Sequence, residues 1–150
     1  MAEQSLFEKI ADGTIPSWKV WEDDTYMAFL TPFPNTPGFT VVVPKKNPGD
    51  NFITVDDSVL SGLMLASKKV ATLLQNAFGV QRVGLVIEGE GVPHLHVKLI
   101  PMHGQSDDSG PHAQHTEFFD AYPGYLTTIE GPRMTDEQLN KIQAKIKAAA

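Results

Sequence analysis

The stretch Pro93-His94-Leu95-His96-Val97-Lys98-Leu99-Ile100-Pro101 alternates polar and apolar residues from His94 to Leu99. Period-two alternation is the pattern of a strand with one buried face. Leu95, Val97 and Leu99 are expected on the core face. His94, His96 and Lys98 are expected on the other, roughly 6–7 Å apart from one to the next. Two imidazoles and an ammonium on one face suit the handling of phosphate. A neutral imidazole is a competent nucleophile, and a phosphorylated or nucleotidylated histidine is an intermediate that water clears. Two other readings stand beside this one. The histidines can be ordinary surface residues, or two ligands of a metal site. A closed metal site needs more ligands, and His103, His112 and His115 supply them only if the downstream loop folds back.

Upstream, Ser5-Leu6-Phe7-Glu8 reads as a capping box opening a short helix, with Gly13 as its stop. Trp18 to Trp21 and Tyr26 to Leu30 read as strands joined by a Glu22-Asp23-Asp24 turn. Pro32, Pro34 and Pro37 make residues 31–38 a loop. Phe39 to Val43 is β-rich and apolar, as a strand buried on both faces would be, and Pro44 closes it. A long helix is expected from Asp56 or Asp57 to Gly79, with Leu60, Leu63, Met64, Val70, Leu73, Leu74 and Ala77 at helical spacing. Val83 to Glu88 is a further strand, and Gly89-Glu90-Gly91 leads into the histidine segment. The pattern is weak from Met102 to Arg133, where Gln105 to Gly110 is a polar loop and Tyr122-Pro123-Gly124-Tyr125 an aromatic turn. Thr135 starts a final helix, acidic at its first turn, with Lys141, Lys145 and Lys147 towards its end. The expectation is one α+β domain over 1–150, with a core of about 5–103 and an extension over 104–150.

The chain has no cysteine, so disulfides, thiolate nucleophiles and Cys-type zinc sites are excluded. That leans towards a reducing compartment. No basic-then-apolar leader and no spanning apolar run are present, so a cytoplasmic protein without membrane contact is expected. A net charge of −6 argues against binding a nucleic acid polymer through bulk charge.

Several segments in order resemble the histidine triad (HIT) family of nucleotide hydrolases and transferases. They are Ser5 to Ile10 with Gly13-Thr14-Ile15-Pro16, then Glu22-Asp23-Asp24, Ala28-Phe29-Leu30, Pro37-Gly38, Val43-Pro44-Lys45-Lys46 and His94 to Pro101. The resemblance implies a HIT-like five-stranded, mainly antiparallel sheet with one long helix plus short N- and C-terminal helices. It implies a homodimer with joined sheets and a nucleoside monophosphate site that needs no cofactor. By the same resemblance His96 falls on the nucleophile that attacks the α-phosphate, and His94 on the first triad position. Phe7, Ile10, Phe29 and Leu30 fall where the nucleobase is enclosed.

The departures from the family are specific. Lys98 takes the third triad position, an ammonium where imidazole is usual. Thr31 replaces an acidic residue that binds ribose hydroxyls. Ile87 falls near a usual polar residue of the phosphate site. The loop 88–92 lacks a Ser or Gln that assists the leaving group, and Glu88 and Glu90 read as solvated loop charges. Ser5, Glu8 and Asn47 occupy three positions of a structural zinc site of which only His94 remains, so no structural zinc is expected. His103 is a candidate to fold over the site. The reading is a nucleotide-conjugate hydrolase or nucleotidyl transferase working through nucleotidyl-His96, with His94 and Lys98 stabilising charge. The alternatives are a catalytically weak nucleotide-binding module and a metal-dependent hydrolase using His94 and His96.

Overall fold

A computed structural model describes residues 3–104, 118–122 and 130–150. Its elements are α1 (Leu6–Ala11), β1 (Trp18–Glu22), β2 (Tyr26–Leu30), β3 (Thr40–Pro44), α2 (Asp57–Phe78), β4 (Val83–Val86), β5 (Val97–Pro101) and α3 (Asp136–Ala148). The strands form one sheet in the order β1-β2-β3-β5-β4, and every pairing is antiparallel. The expected α+β fold is the one observed.

Two apolar layers hold the sheet. On one face, Ala28, Leu30, Val42, Val97 and Leu99 pack against Leu63, Ala66, Val70 and Leu74 of α2. On the other, Met27, Phe29, Val41 and Val43 pack with Phe7 of α1. The strands β2 and β3 are buried throughout, as their mainly apolar sequence requires, and the one buried hydroxyl of β3, Thr40, donates to the Gly38 carbonyl. The hairpin before β2 is set by Asp23, whose carboxylate accepts from the Thr25 and Tyr26 amides. Ser5 and Glu8 form the expected capping box, and Thr135 and Gln138 form another at α3. Leu139 and Ile146 carry α3 into the same core as α2. Trp18 donates to Asn140 at 3.0 Å and Gln143 to the Lys19 carbonyl at 2.8 Å, which seats α3 across β1.

Three expectations change. The strand expected from Val83 to Glu88 ends at Val86, where the ladder with Lys98 stops. Met64 shares the helical spacing of the core residues of α2 but is exposed, as is Leu65; the helix turns the expected Leu63 inwards together with Ala66 and Ser67. The histidine segment is not strand along its whole length. The ladder of β5 begins only at Val97, opposite Val42. The cause is Pro44, which has no N–H to offer a neighbour. Its carbonyl is taken by the His94 side chain, and the Leu95 amide bonds Gly49 at 2.7 Å.

Gly62 sits inside α2 where a Cβ would lie 2.1 Å from the Tyr26 hydroxyl. That hydroxyl donates to the Val59 carbonyl at 3.0 Å. Alanine would raise helix propensity by about 1 kcal/mol, but overpacking costs about 1–3 kcal/mol. Gly62→Ala should therefore lower the thermal midpoint. A raised midpoint would mean that the Tyr26 ring moves aside without cost.

Candidate active site

The sheet face beneath α1 forms the floor of a cavity of about 670 Å³. Phe29, Val41, Lys98 and Val86 are successive partners across β2, β3, β5 and β4, so they form one row. Phe7, Ile10, Phe29, Leu30 and Thr31 all line the cavity, together with His96 and Lys98. The Phe7 ring lies 5.4 Å from that of Phe29 and edge-on to the His96 imidazole at 5.2 Å. One region is apolar and aromatic, and another carries an imidazole and an ammonium. That division, at this size, suits a small ligand with one flat apolar part and one anionic part.

His96 is 4% exposed. Its Nδ1 lies 2.7 Å from the His94 carbonyl oxygen, which can only accept. Nδ1 therefore carries the proton, and Nε2 holds a lone pair. Burial, reinforced by the Lys98 charge, pushes the His96 pKa below the ordinary imidazole value, against the pull of the carbonyl bond and of Glu88. The ring is thus neutral at pH 7 with one defined tautomer, the state a nucleophile requires.

His94, by contrast, does not line the cavity. It is fully buried, and both ring nitrogens are engaged. Nε2 donates to the Pro44 carbonyl at 2.7 Å, and Nδ1 accepts from the Ser5 hydroxyl at 2.6 Å. Burial pushes its pKa down, opposed by the Pro44 bond and the Glu8 charge. The surrounding groups close on themselves. Glu8 accepts from the Ser5 and Asn47 amides, and the Asn47 side chain donates to the Pro93 carbonyl at 2.9 Å. These four residues do not fit a structural zinc. The one imidazole is committed at both nitrogens, and a hydroxyl, an amide and one carboxylate are a poor set for that ion. Among the described residues, no three or more His, Cys, Asp or Glu side chains converge; His112 and His115 lie outside those residues.

Both buried histidines have folded-state pKa values below the unfolded value of 6.5. Stability linked to them is full above that pH and is lost as pH falls from it towards the depressed values. Denaturant midpoints at pH 7.5 and 5.5 should therefore show a less stable protein at 5.5. Equal midpoints would mean that the rings charge without penalty.

Lys98 and Glu88 form an ion pair at 2.8 Å, with side chains 18% and 9% exposed. The Tyr122 hydroxyl donates to the other Glu88 oxygen. Glu88 is thus not a solvated loop charge: the ammonium on the same face draws it in. Glu90 stays exposed but lines the cavity. Thr31 reaches the cavity, yet its hydroxyl accepts from the Phe33 amide at 3.2 Å, which caps the loop. His103 does not fold over the site. It bonds the Pro37 carbonyl at 2.7 Å and lies edge-on to Phe78, beyond the far end of β5.

Sequence reasoning missed Glu130, which also lines the cavity. The amides of Gly131 and Met134 bond the Phe33 and Pro32 carbonyls, bringing the segment before α3 against the 31–38 loop. Gly131 is required there, because a Cβ would lie 2.1 Å from the Pro34 oxygen. Of the Tyr122–Tyr125 turn, residues 123–125 lie outside the described residues, as does the polar loop 105–110. Among the described residues no helix is long and apolar enough to cross a membrane.

Comparison with known proteins supplies the family and the fold. Protein Hit of Bacillus subtilis is 34% identical over 116 residues, 73% of this chain and 78% of that protein. The crystal structure of a Hit-like protein involved in cell-cycle regulation from Bartonella henselae, holding an unknown ligand, matches with a TM-score of 0.73. It is 27% identical, over 100% of this chain and 99% of that one. A HIT family hydrolase from Legionella pneumophila matches with a TM-score of 0.57 at 27% identity, over 71% of this chain and 100% of that one. The HIT domain model covers residues 12–105. That span holds all five strands, α2 and both buried histidines, and the chain belongs to the HIT domain family.

Proposed function

We propose that the protein is a nucleotide-conjugate hydrolase or nucleotidyl transferase acting through a covalent nucleotidyl-His96. The observation that carries this is the His96 tautomer: Nδ1–H is bound to the His94 carbonyl, so the Nε2 lone pair is the nucleophile. Nε2 attacks the α-phosphorus, the bond to the leaving group breaks, and water or another acceptor displaces the histidine. Lys98 stands at the third triad position and stabilises the phosphoryl charge. Phe7, Ile10 and Phe29 enclose the base, with Thr31 at the rim; Leu30 borders the cavity, but its side chain packs in the α2-side core and does not meet the base. His94 acts from below, through its carbonyl. A cytoplasmic homodimer fits the same reading. Among the described residues β4 pairs only with β5, and its Leu85 is 41% exposed; a second copy could extend the sheet there.

One observation favours a second reading, a weakly catalytic nucleotide-binding module. Glu88 offsets the Lys98 charge, and Glu90 and Glu130 line the cavity. Incubation with a fluorogenic adenosine phosphoramidate and a dinucleoside polyphosphate, in chelator, separates the readings. Product with a transient nucleotidyl mass on the protein is the expected result. Tight binding with neither product nor adduct would support the module. Activity seen only without chelator would support a metal-dependent hydrolase.

A further inference from the structure

We infer that Glu88 is a positioning residue, holding the Lys98 ammonium as the proton donor to the departing group. This rests on the covalent reading above. Lys98 is fixed at its Cα by pairing with Val41 on one side and Val86 on the other. Its four-carbon stem nevertheless leaves the ammonium many places to go. Glu88 lies two residues beyond Val86, so its side chain continues on the same face although the ladder has ended. Its Oε1 is 2.8 Å from Nζ, and its Oε2 accepts from Tyr122.

A half-buried carboxylate is a poor neighbour for an anion site if the aim is only to gather positive charge. Glu88 offsets part of the charge that Lys98 offers the phosphoryl group and adds nothing to the grip on an anion. What the pair supplies is an ammonium held in one location on the wall of the cavity that Lys98 lines. That is the requirement for a general acid.

The steps balance. As His96 Nε2 bonds phosphorus, the bond from phosphorus to the leaving nitrogen or oxygen breaks, and a Lys98 proton passes to the leaving atom. Water then attacks phosphorus, the P–Nε2 bond breaks, and the neutral Lys98 amine takes the water proton. Glu88 takes no proton in either step. The net reaction is conjugate plus water giving nucleoside monophosphate plus the protonated leaving group.

The test compares two adenosine conjugates, an alkylamine phosphoramidate and a p-nitrophenyl ester, on the full chain. A departing alkylamine needs a proton; nitrophenolate does not. Glu88→Gln should lower kcat by about 100-fold on the phosphoramidate, leave the ester within about threefold, and change KM little on either. Tyr122→Phe should give the same pattern, smaller. Lys98→Gln removes the charge as well as the proton, so it should lower kcat on both conjugates but by at least about tenfold more on the phosphoramidate, which keeps the test decisive if Glu88→Gln folds poorly. Equal losses on both conjugates, or no loss on either, would overturn the assignment while leaving His96 chemistry intact. Absence of any His96 adduct in the wild-type protein would overturn both.

Discussion

Replacing His96 with alanine is expected to abolish the nucleotidyl mass on the protein and to lower turnover by about 10³-fold or more. The size of the effect follows from the ring's position. It lines the cavity, its Nδ1 proton is bound to the His94 carbonyl, and its burial keeps it neutral. The described residues hold no second imidazole in the cavity, since His94 and His103 face elsewhere. The fold should tolerate the change, because the space vacated opens into the existing cavity. The assay is intact-protein mass during turnover of the phosphoramidate, beside a thermal midpoint. A retained adduct would move the nucleophile to another residue and remove the basis of the proposed mechanism.

His94→Ala is expected to do the opposite, damaging the fold far more than the chemistry. The substitution strands the buried Pro44 carbonyl, cuts the Ser5 tether and leaves a hole beside Phe7, whose ring meets that imidazole at 5.5 Å. A stranded buried acceptor costs about 1–3 kcal/mol, and the cavity adds to it. The sum, roughly 3–4 kcal/mol, should lower the midpoint by on the order of 10 °C for a chain of this size. The backbone carbonyl that orients His96 survives the substitution. At a temperature where the variant is folded, kcat should therefore fall by less than about tenfold. Loss of His94 to the full extent of the His96→Ala defect, without a change in midpoint, would return it to the reacting centre.

The contrast between these two residues marks where the sequence stops being legible. The hairpin and one strand buried on both faces could be read because the Glu22-Asp23-Asp24 turn, the Tyr26–Leu30 run and the Phe39–Val43 run are local signals; the burial of both faces of β2 has no such signal. Phe7 and Phe29 line the cavity, a placement that the family resemblance pointed to and their local pattern, which reads equally as core packing, did not. His94 and His96 share a period-two pattern, yet one is structural and the other lines the cavity. The difference comes from Ser5 and Pro44, which are 89 and 50 residues away from His94. Glu88 carried a faint signal in its parity with Val86, outweighed by the glycines that follow it. Glu130 carried none, because its approach to the cavity depends on Gly131 meeting the 31–38 loop. Met64 misled because a wide apolar stripe on α2 does not say which of its edges turns inwards.

One part of the cavity wall is held by less than the rest. With six residues, α1 is far below the length at which a helix sustains itself in water. It stays in place through the burial of Phe7 and the Ser5–His94 bond. Such a segment can detach while the sheet and α2 remain intact, at a fraction of the global unfolding free energy. The lifetime of the closed cavity wall over His96 is then set by this sub-global opening. Amide exchange along Leu6–Ala11 would measure it, and a ligand seated against Phe7 would slow that exchange while leaving the sheet's rates unchanged.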